Sequence, residues 1–460
     1  MIDAHPALKA SSPQAPICDW FIGDDWHHHG ALQLTHVFNF MATFGRPRTE
    51  PTKKFDPKFD HNMRDGYRFF LEMGPIKNAD AKYFKGDVAF WSEVMRHGNY
   101  DDFWKSRDLR PHLKNIRPAV MTVGGWFDAE NFFGALETYR SVEKSSPGRN
   151  TIVMGPWIHG GWNTGDGSRL GPVTFGGPTA EHFRERIEFP FFEKYLKGKD
   201  VSAPAEATVF ETGSNTWRTF DAWPPKTTMQ GVLRLQKGGK LSIEMADGTV
   251  VQSSNDGQKG TTDPGYDEYV SDPAKPVPFT EAITNRMNVE YMVDDQRFAS
   301  RRPDVLVYQT EILENDLTMA GTLTTHIDFS TTGTDADFVV KLIDVFPDGT
   351  DAAHLPNYQM MVRSEVLRGR YRNSYEHPEA FEPGKPSTIR LELLDVLHRF
   401  RKGHRVMIQI QSTWFPLVDR NPQTFVPNIY FAKPEDFQKA THRIWRSADH
   451  PATISFGLVP

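Results

Sequence analysis

The rhythm of hydrophobic positions changes several times along the chain. From Asp25 to about Pro111, Leu32, Val37, Phe40, Met41 and Phe44 recur near helical spacing, and MRDGYRFFLEMGP and VAFWSEVMRHG do likewise. This recurrence predicts amphipathic helices gathered into a small unit. At Arg117 the pattern turns to short continuous apolar runs. PAVMTVGGW and NTIVMGPW predict strands, with a helix over ENFFGALETYRSVEKS between them. Strand, helix and strand of these lengths suit a parallel βαβ crossover buried on both faces. A further helix is predicted over TAEHFRERIEFPFFEKYLKG, ended by Gly198, and then a strand over EATVFETGSNTWRTF.

After Pro225 the pattern is all β. VLRLQ, TLTTHIDFS, FVVKLIDVFPDG, YQMMVRSEVLR, STIRLELLDVLHRF and HRVMIQIQS are separated by Gly, Asp and Pro turns, as in a β-sandwich. Asp-Gly within KLIDVFPDGT predicts a tight hairpin. Residues 253–278, rich in Ser, Gly, Asp and Pro, predict a long surface loop. Residues 1–24 alternate short apolar stretches with Pro turns and read like the middle of a domain.

Composition narrows the function classes. A chain of 460 residues has room for about three domains. A formal net charge of -6 supplies no broad positive field for nucleic acid or anionic lipid, so neither is an expected partner. Cys18 is the only cysteine, which excludes an intrachain disulfide and a thiolate metal cluster. No apolar run approaches the roughly 20 residues of a membrane span. Oligomeric state and compartment, cytoplasmic or periplasmic, stay open.

The candidate chemistry lies at the two strand ends. A carboxylate just after a parallel strand stands at the sheet's carboxyl edge, where α/β proteins gather functional groups. Asp128 is so placed after the first strand, and His159 follows the next. An aspartate that accepts a ring N–H fixes the histidine tautomer and leaves the other nitrogen as a general base. The alternative is structural: Asp128 caps the following helix and His159 fills a loop beside Trp157 and Trp162. A nucleophile is then required, yet no G-x-S-x-G elbow precedes Asp128, and Ser11 and Ser12 in KASSPQ lack a glycine elbow. The expectation is that the nucleophile-bearing front lies outside this chain. Three adjacent histidines, His27 to His29, cannot readily converge on one metal ion, and GDGSRLGP lacks the ending of a phosphate-binding loop.

The stretches DAHPALKASSPQAP, GDDWHHHGA, HGNYDDFW, GGWFDAEN and GPWIHGGW, followed by the β-rich tail, run in an order that resembles the Xaa-Pro dipeptidyl-peptidase class of serine hydrolases. The resemblance is to the branch with α-amino acid ester hydrolases, cocaine-esterase-like enzymes and glutaryl-cephalosporin acylase-like proteins. It implies an α/β-hydrolase, here expected to be N-terminally incomplete, with a helical cap insertion and a C-terminal jelly-roll β-sandwich. The implied boundaries are 1–24 and 113–223 for the hydrolase core, 25–112 for the cap and 224–460 for the sandwich.

The resemblance also implies catalytic Asp128 and His159, and a carboxylate cage for a substrate ammonium group at Asp25, Glu130 and a third position that here is Asn131. Asn keeps an acceptor but loses a charge. Trp126, with Trp20, Phe21 and Trp26, is a candidate for apolar substrate contact. The implied reaction cleaves small esters or amides, with or without an α-amine, through an acyl-enzyme and without a cofactor or metal. On this expectation the recorded start is wrong, the gene is split so that a separate chain carries the front of the hydrolase domain, or the polypeptide is incomplete, and without that front this chain is inactive by itself. The alternative readings are Xaa-Pro dipeptidyl-peptidase or cephalosporin-acylase specificity, or a non-catalytic β-sandwich binding protein with a hydrolase remnant.

Overall fold

Seven consecutive buried residues, Ala119–Gly125, form a strand covered on both faces, as a run of small and branched apolar residues requires inside a parallel sheet. The computed structural model describes residues 1–48, 50–51, 53, 58–146, 148–245, 247–252, 263–349 and 355–459. That strand belongs to a five-stranded sheet ordered β1 (Ala10–Ser11), β2 (Ala119–Gly125), β3 (Asn150–Gly155), β4 (Ala207–Glu211) and β5 (Thr216–Phe220). The first four strands are parallel, and β5 turns back antiparallel to β4. The single strand expected over EATVFETGSNTWRTF is therefore a hairpin, because the Gly213 and Asn215 backbones take positive φ and reverse the chain.

The helical stretch holds α1 (Leu34–Phe44), α2 (Gly66–Met73) and α3 (Ala89–Arg96), packed around Phe38, Phe70, Phe84 and Trp91. Leu34, Val37, Phe38 and Met41 form the inner face of α1. Phe40 and Phe44, expected to pack inward, are exposed and stack on one another with centroids 4.7 Å apart. The crossover helix α4 (Phe132–Ser145) joins β2 to β3 as the sequence pattern predicts.

The C-terminal part is a jelly-roll β-sandwich. Its long strand Leu317–Thr331 pairs antiparallel with Ser387–Phe400, while Asp337–Val345 lies between Gln359–Arg368 and Arg405–Gln411. Leu323, Phe329, Leu342, Val366, Leu393 and Ile408 are fully buried in its core. The tight hairpin expected at KLIDVFPDGT is a longer connection, since its strands stop at Val345 and resume at Gln359, and residues 350–354 lie outside the described residues. The loop expected over 253–278 contains a strand, Tyr266–Ser271, paired with Ala440–Trp445, and residues 253–262 lie outside the described residues.

Ion pairs to two buried carboxylates fix the sandwich to the parallel sheet. Asp395 accepts from Arg140 Nη2 on α4 at 2.7 Å and from the Trp223 indole at 2.8 Å, and Arg399 Nε donates to Glu211 at the end of β4 at 2.7 Å. Removing one partner of such a pair strands a charge away from water, so these contacts define one docking geometry.

The first residues continue the sheet beyond β1. Val123 N donates to the Pro13 carbonyl and Ala15 N to the Val123 carbonyl, so the chain leaves at the carboxyl edge beside β2. Asp24, fully buried, then holds the following loop: its Oδ2 accepts from the backbone N–H groups of Cys18 and Asp19 at 2.7 and 2.9 Å, and its Oδ1 from Gly134 in α4 at 2.9 Å. The loop lies so close to α4 that a Cβ at Gly134 would meet the Pro16 carbonyl oxygen, so glycine is required there. Asp24→Ala leaves these donors unpaired and is expected to cost about 3 kcal/mol or more of unfolding free energy. Urea denaturation checks this, with Asp24→Asn expected to lose less because one oxygen acceptor is kept.

Candidate active site

The parallel register of β2 and β3 pairs Gly125 with Gly155, so both strands end at one level. The two chains then cross closely: Trp126 N donates to the Gly155 carbonyl at 2.8 Å and Phe127 N to the Trp157 carbonyl at 3.0 Å. A Cβ at Gly125 would overlap the Trp157 carbonyl, which explains why the turn begins with glycine. Asp128 and His159, 31 positions apart in sequence, emerge next to one another.

The two oxygens of Asp128 make different contacts. Its Oδ1 accepts the N–H groups of Glu130 and Asn131 at 2.9 and 3.0 Å, ordering the turn into α4. Its Oδ2 lies 3.2 Å from His159 Nδ1. The carboxylate is fully buried, whereas the imidazole is 43% exposed and so open to a reacting group. The Asp128 hydrogen bond and charge, helped by Glu130 and Asp25, raise the His159 pKa to about 9 against the opposing effect of burial.

The other expected positions divide into two groups. Asp25, Glu130 and Asn131 are brought together: Asp25 N donates to the Glu130 carbonyl at 3.0 Å, and Asn131 Nδ2 donates to Asp25 Oδ2 at 3.0 Å. The Glu130 carboxylate stands 3.8 Å from His159 Nδ1, and burial raises its pKa. Trp126 is not part of this cluster. Its indole donates to the Phe210 carbonyl, and its ring packs on Phe132 and Trp223 in the core, because the turn leading to Asp128 points the Trp126 side chain inward. Phe21 is likewise core, between Tyr100, Trp104 and Tyr371.

Trp20 and Trp26 do border open space. With Ile17, Val37, Phe40, Phe44 and Phe90 they line a cavity of about 480 Å³ whose polar corner is Asp25 and His36. Sequence reasoning missed His36. It sits on α1 with Nε2 3.8 Å from Asp25 Oδ1 and Nδ1 3.8 Å from Glu130 Oε1. Its only signal was a position one residue before Val37 on the helix's inner face. Asp25, His36 and Glu130 offer ligand atoms within 4.8 Å of one another, close enough to surround a small cation.

The three adjacent histidines diverge, each to its own partner. His27 Nε2 meets the Tyr430 hydroxyl at 2.5 Å, His28 Nδ1 meets Glu365 at 2.9 Å and His29 Nδ1 meets the Tyr375 hydroxyl at 2.6 Å. They join the cap to the sandwich. Ser12 Oγ donates to the Met121 carbonyl at 2.9 Å.

Comparisons with known proteins bear on the same residues. The X-Pro dipeptidyl-peptidase (S15 family) profile matches residues 1–161, and the X-Pro dipeptidyl-peptidase C-terminal non-catalytic domain profile matches residues 200–455. The chain is 28% identical to a cocaine esterase of Rhodococcus sp. (strain MB1 Bresler), over 98% of this chain and 76% of that protein. A crystal structure of an aminopeptidase from the marine sediment archaeon Thaumarchaeota archaeon shares 37% identity and superposes with a TM-score of 0.89, over 100% of this chain and 73% of that one. An α-amino acid ester hydrolase structure shares 36% identity with a TM-score of 0.90, over 100% and 74%.

The catalytic-domain match from residue 1 corrects one expectation. An N-terminally incomplete hydrolase, a missing nucleophile-bearing front, its supply by a separate chain, and inactivity of this chain by itself are all withdrawn. The expectation came from the absence of one short elbow pattern, which is a weaker signal than a match over the whole N-terminal stretch.

A titration follows from the geometry. The His159 ring should titrate near pH 9 rather than at its ordinary 6.5, by nitrogen NMR, and Asp128→Asn should move it toward the ordinary value. Because the folded pKa is the higher one, the pair's contribution to stability is full below the unfolded value of 6.5 and is lost as pH rises through about 9.

Proposed function

Because the chain belongs to the X-Pro dipeptidyl-peptidase family, we propose that it hydrolyses small esters or amides with an apolar or aromatic acyl part, through an acyl-enzyme on a serine. The observation that carries this reading is the contact between His159 Nδ1 and the buried Asp128 carboxylate. Asp128 holds the ring with Nδ1 protonated, and Nε2 takes the proton of the attacking hydroxyl, then returns it to the leaving alcohol or amine. Water repeats the attack on the acyl-enzyme with the same base. The imidazolium formed in each step faces a fixed negative charge, which lowers the cost of moving the proton.

The cavity lined by Trp20, Trp26, Phe40 and Phe90 suits the acyl side chain, since apolar walls with a few polar groups at one corner orient a small ligand. In this reading Asp25 and Glu130 accept an α-ammonium group. Asn131 contributes no charge there and spends its amide N–H on Asp25. The likeness to a cocaine esterase and to an α-amino acid ester hydrolase favours esters, and the likeness to an aminopeptidase favours an amide bond beside a free amine. In this reading residues 1–24 and 113–223 form the core, 25–112 the cap and 224–460 the sandwich.

The test is covalent labelling of the intact protein with a fluorophosphonate, followed by peptide mapping of the adduct. The expected result is a single modified serine whose labelling is abolished in His159→Ala and strongly slowed in Asp128→Asn. Folded protein that takes up no label overturns the serine-hydrolase reading.

A further inference from the structure

Arg363 is a guanidinium buried in an unusual setting. It lies on the sandwich strand Gln359–Arg368, is 3% exposed, and burial pulls its pKa down to about 10. Asp395 and Glu365 act on it by charge, without a hydrogen bond, and its Nε has no hydrogen-bond partner among the described residues. Burying a cation on these terms is unfavourable, and an apolar side chain of similar length would fill the same volume without that penalty. What the guanidinium does there is shown by its contacts.

These contacts fall on the two ends of the turn that carries Asp128. Nη2 donates to the Trp126 carbonyl at 3.0 Å, ahead of Asp128, and the guanidinium covers the ring of Phe132, the first residue of α4, at 3.9 Å. The peptide that Arg363 grips also reaches the neighbouring strand end. Its N–H, carried by Phe127, donates to the Trp157 carbonyl at 3.0 Å, two residues before His159. Arg363, this peptide and the Trp157 carbonyl thus form a chain of hydrogen bonds in which each polarises the next. The pair downstream is sensitive to such support. The contact between His159 Nδ1 and Asp128 Oδ2, at 3.2 Å, sits at the long end of the hydrogen-bond range, and the ring is 43% exposed, so a small shift of the turn would break it.

We propose that Arg363 is a positioning residue for the Asp128–His159 pair: the sandwich, matched as a non-catalytic domain, clamps the turn at Trp126 and Phe132 and so sets the distance between acid and base. The inference rests on the serine-hydrolase reading of that pair. Arg363 takes no part in bond making and acts through Asp128. The rate of reaction should depend on it while binding of an uncharged ester should not, because the apolar cavity is lined by Trp20, Trp26 and Phe90 and by none of the residues that Arg363 contacts.

Steady-state hydrolysis of methyl phenylacetate, an uncharged ester with an aromatic acyl part, separates positioning from plain support of the fold. Arg363→Met is expected to lower kcat about a hundredfold with KM changed by less than about twofold, and Arg363→Lys, which keeps a charge and a donor but not the planar fork, to lower kcat about tenfold. In the Asp128→Asn background either change should cost nothing further, whereas a side chain that only supports the fold lowers the rate by the same factor in both backgrounds. Rates are compared below each variant's unfolding midpoint, and if Arg363→Met does not fold, Arg363→Lys carries the comparison. Folded variants with wild-type kcat, losses that multiply with that of Asp128→Asn, or a raised KM at unchanged kcat overturn the proposal while leaving the hydrolase reading intact. Wild-type protein that neither turns over ester nor takes up fluorophosphonate removes the hydrolase reading, and this inference with it.

Discussion

The parallel pairing of β2 with β3 is the constraint on which the rest depends. Its register fixes where two strands stop, and Asp128 and His159 lie just beyond those stops. Gly125 and Gly155 let the exiting chains cross with the Trp126 and Phe127 N–H groups bonded to carbonyls of the neighbouring segment. Without that crossing, the buried Asp128 carboxylate would have no imidazole to orient. A buried carboxylate with unfilled acceptors is costly, so the two backbone N–H donors on Oδ1 and the ring on Oδ2 also stabilise the turn that presents them.

The other layers hold this edge in place. Arg363, buried in the sandwich, donates to the Trp126 carbonyl at 3.0 Å and covers the Phe132 ring at 3.9 Å, so a residue far along the chain braces the turn before Asp128. Its low-dielectric surroundings pull its pKa down to about 10. From the cap side, His28 meets Glu365, two residues along the same strand. Asp24 ties the loop that carries Asp25 to α4, which begins just after Glu130. Asp25, Glu130 and His159 thus rest on one support, which explains how Glu130 and Asp25 reach the His159 ring electrostatically.

Much of this was legible in the sequence where local patterns decide the structure. The continuous apolar runs ending in GGW and GPW gave strands of one sheet, and strand ends in a parallel sheet share an edge, so Asp128 and His159 could be paired on paper. What depends on side-chain direction could not be read. Phe40 and Phe44 fit a helical period yet line a cavity mouth, and Trp126 looked like a pocket aromatic yet turns into the core. His36 carried no local mark, because its place beside Asp25 and Glu130 arises from a helix packing against two loops. The expected missing front failed for a different reason: a short elbow pattern can be absent from a stretch that still matches the catalytic-domain profile from residue 1 to 161. The turn residues of KLIDVFPDGT predicted a tight hairpin, but the long strands around it extended differently under sandwich packing.

The central claim is that Asp128 and His159 act as one unit, and a double-mutant cycle on ester kcat/KM tests it most directly. Residues that work only through each other are non-additive. The account predicts that Asp128→Asn added to His159→Ala costs nothing further. Losses that multiply, with each residue contributing independently, would contradict it.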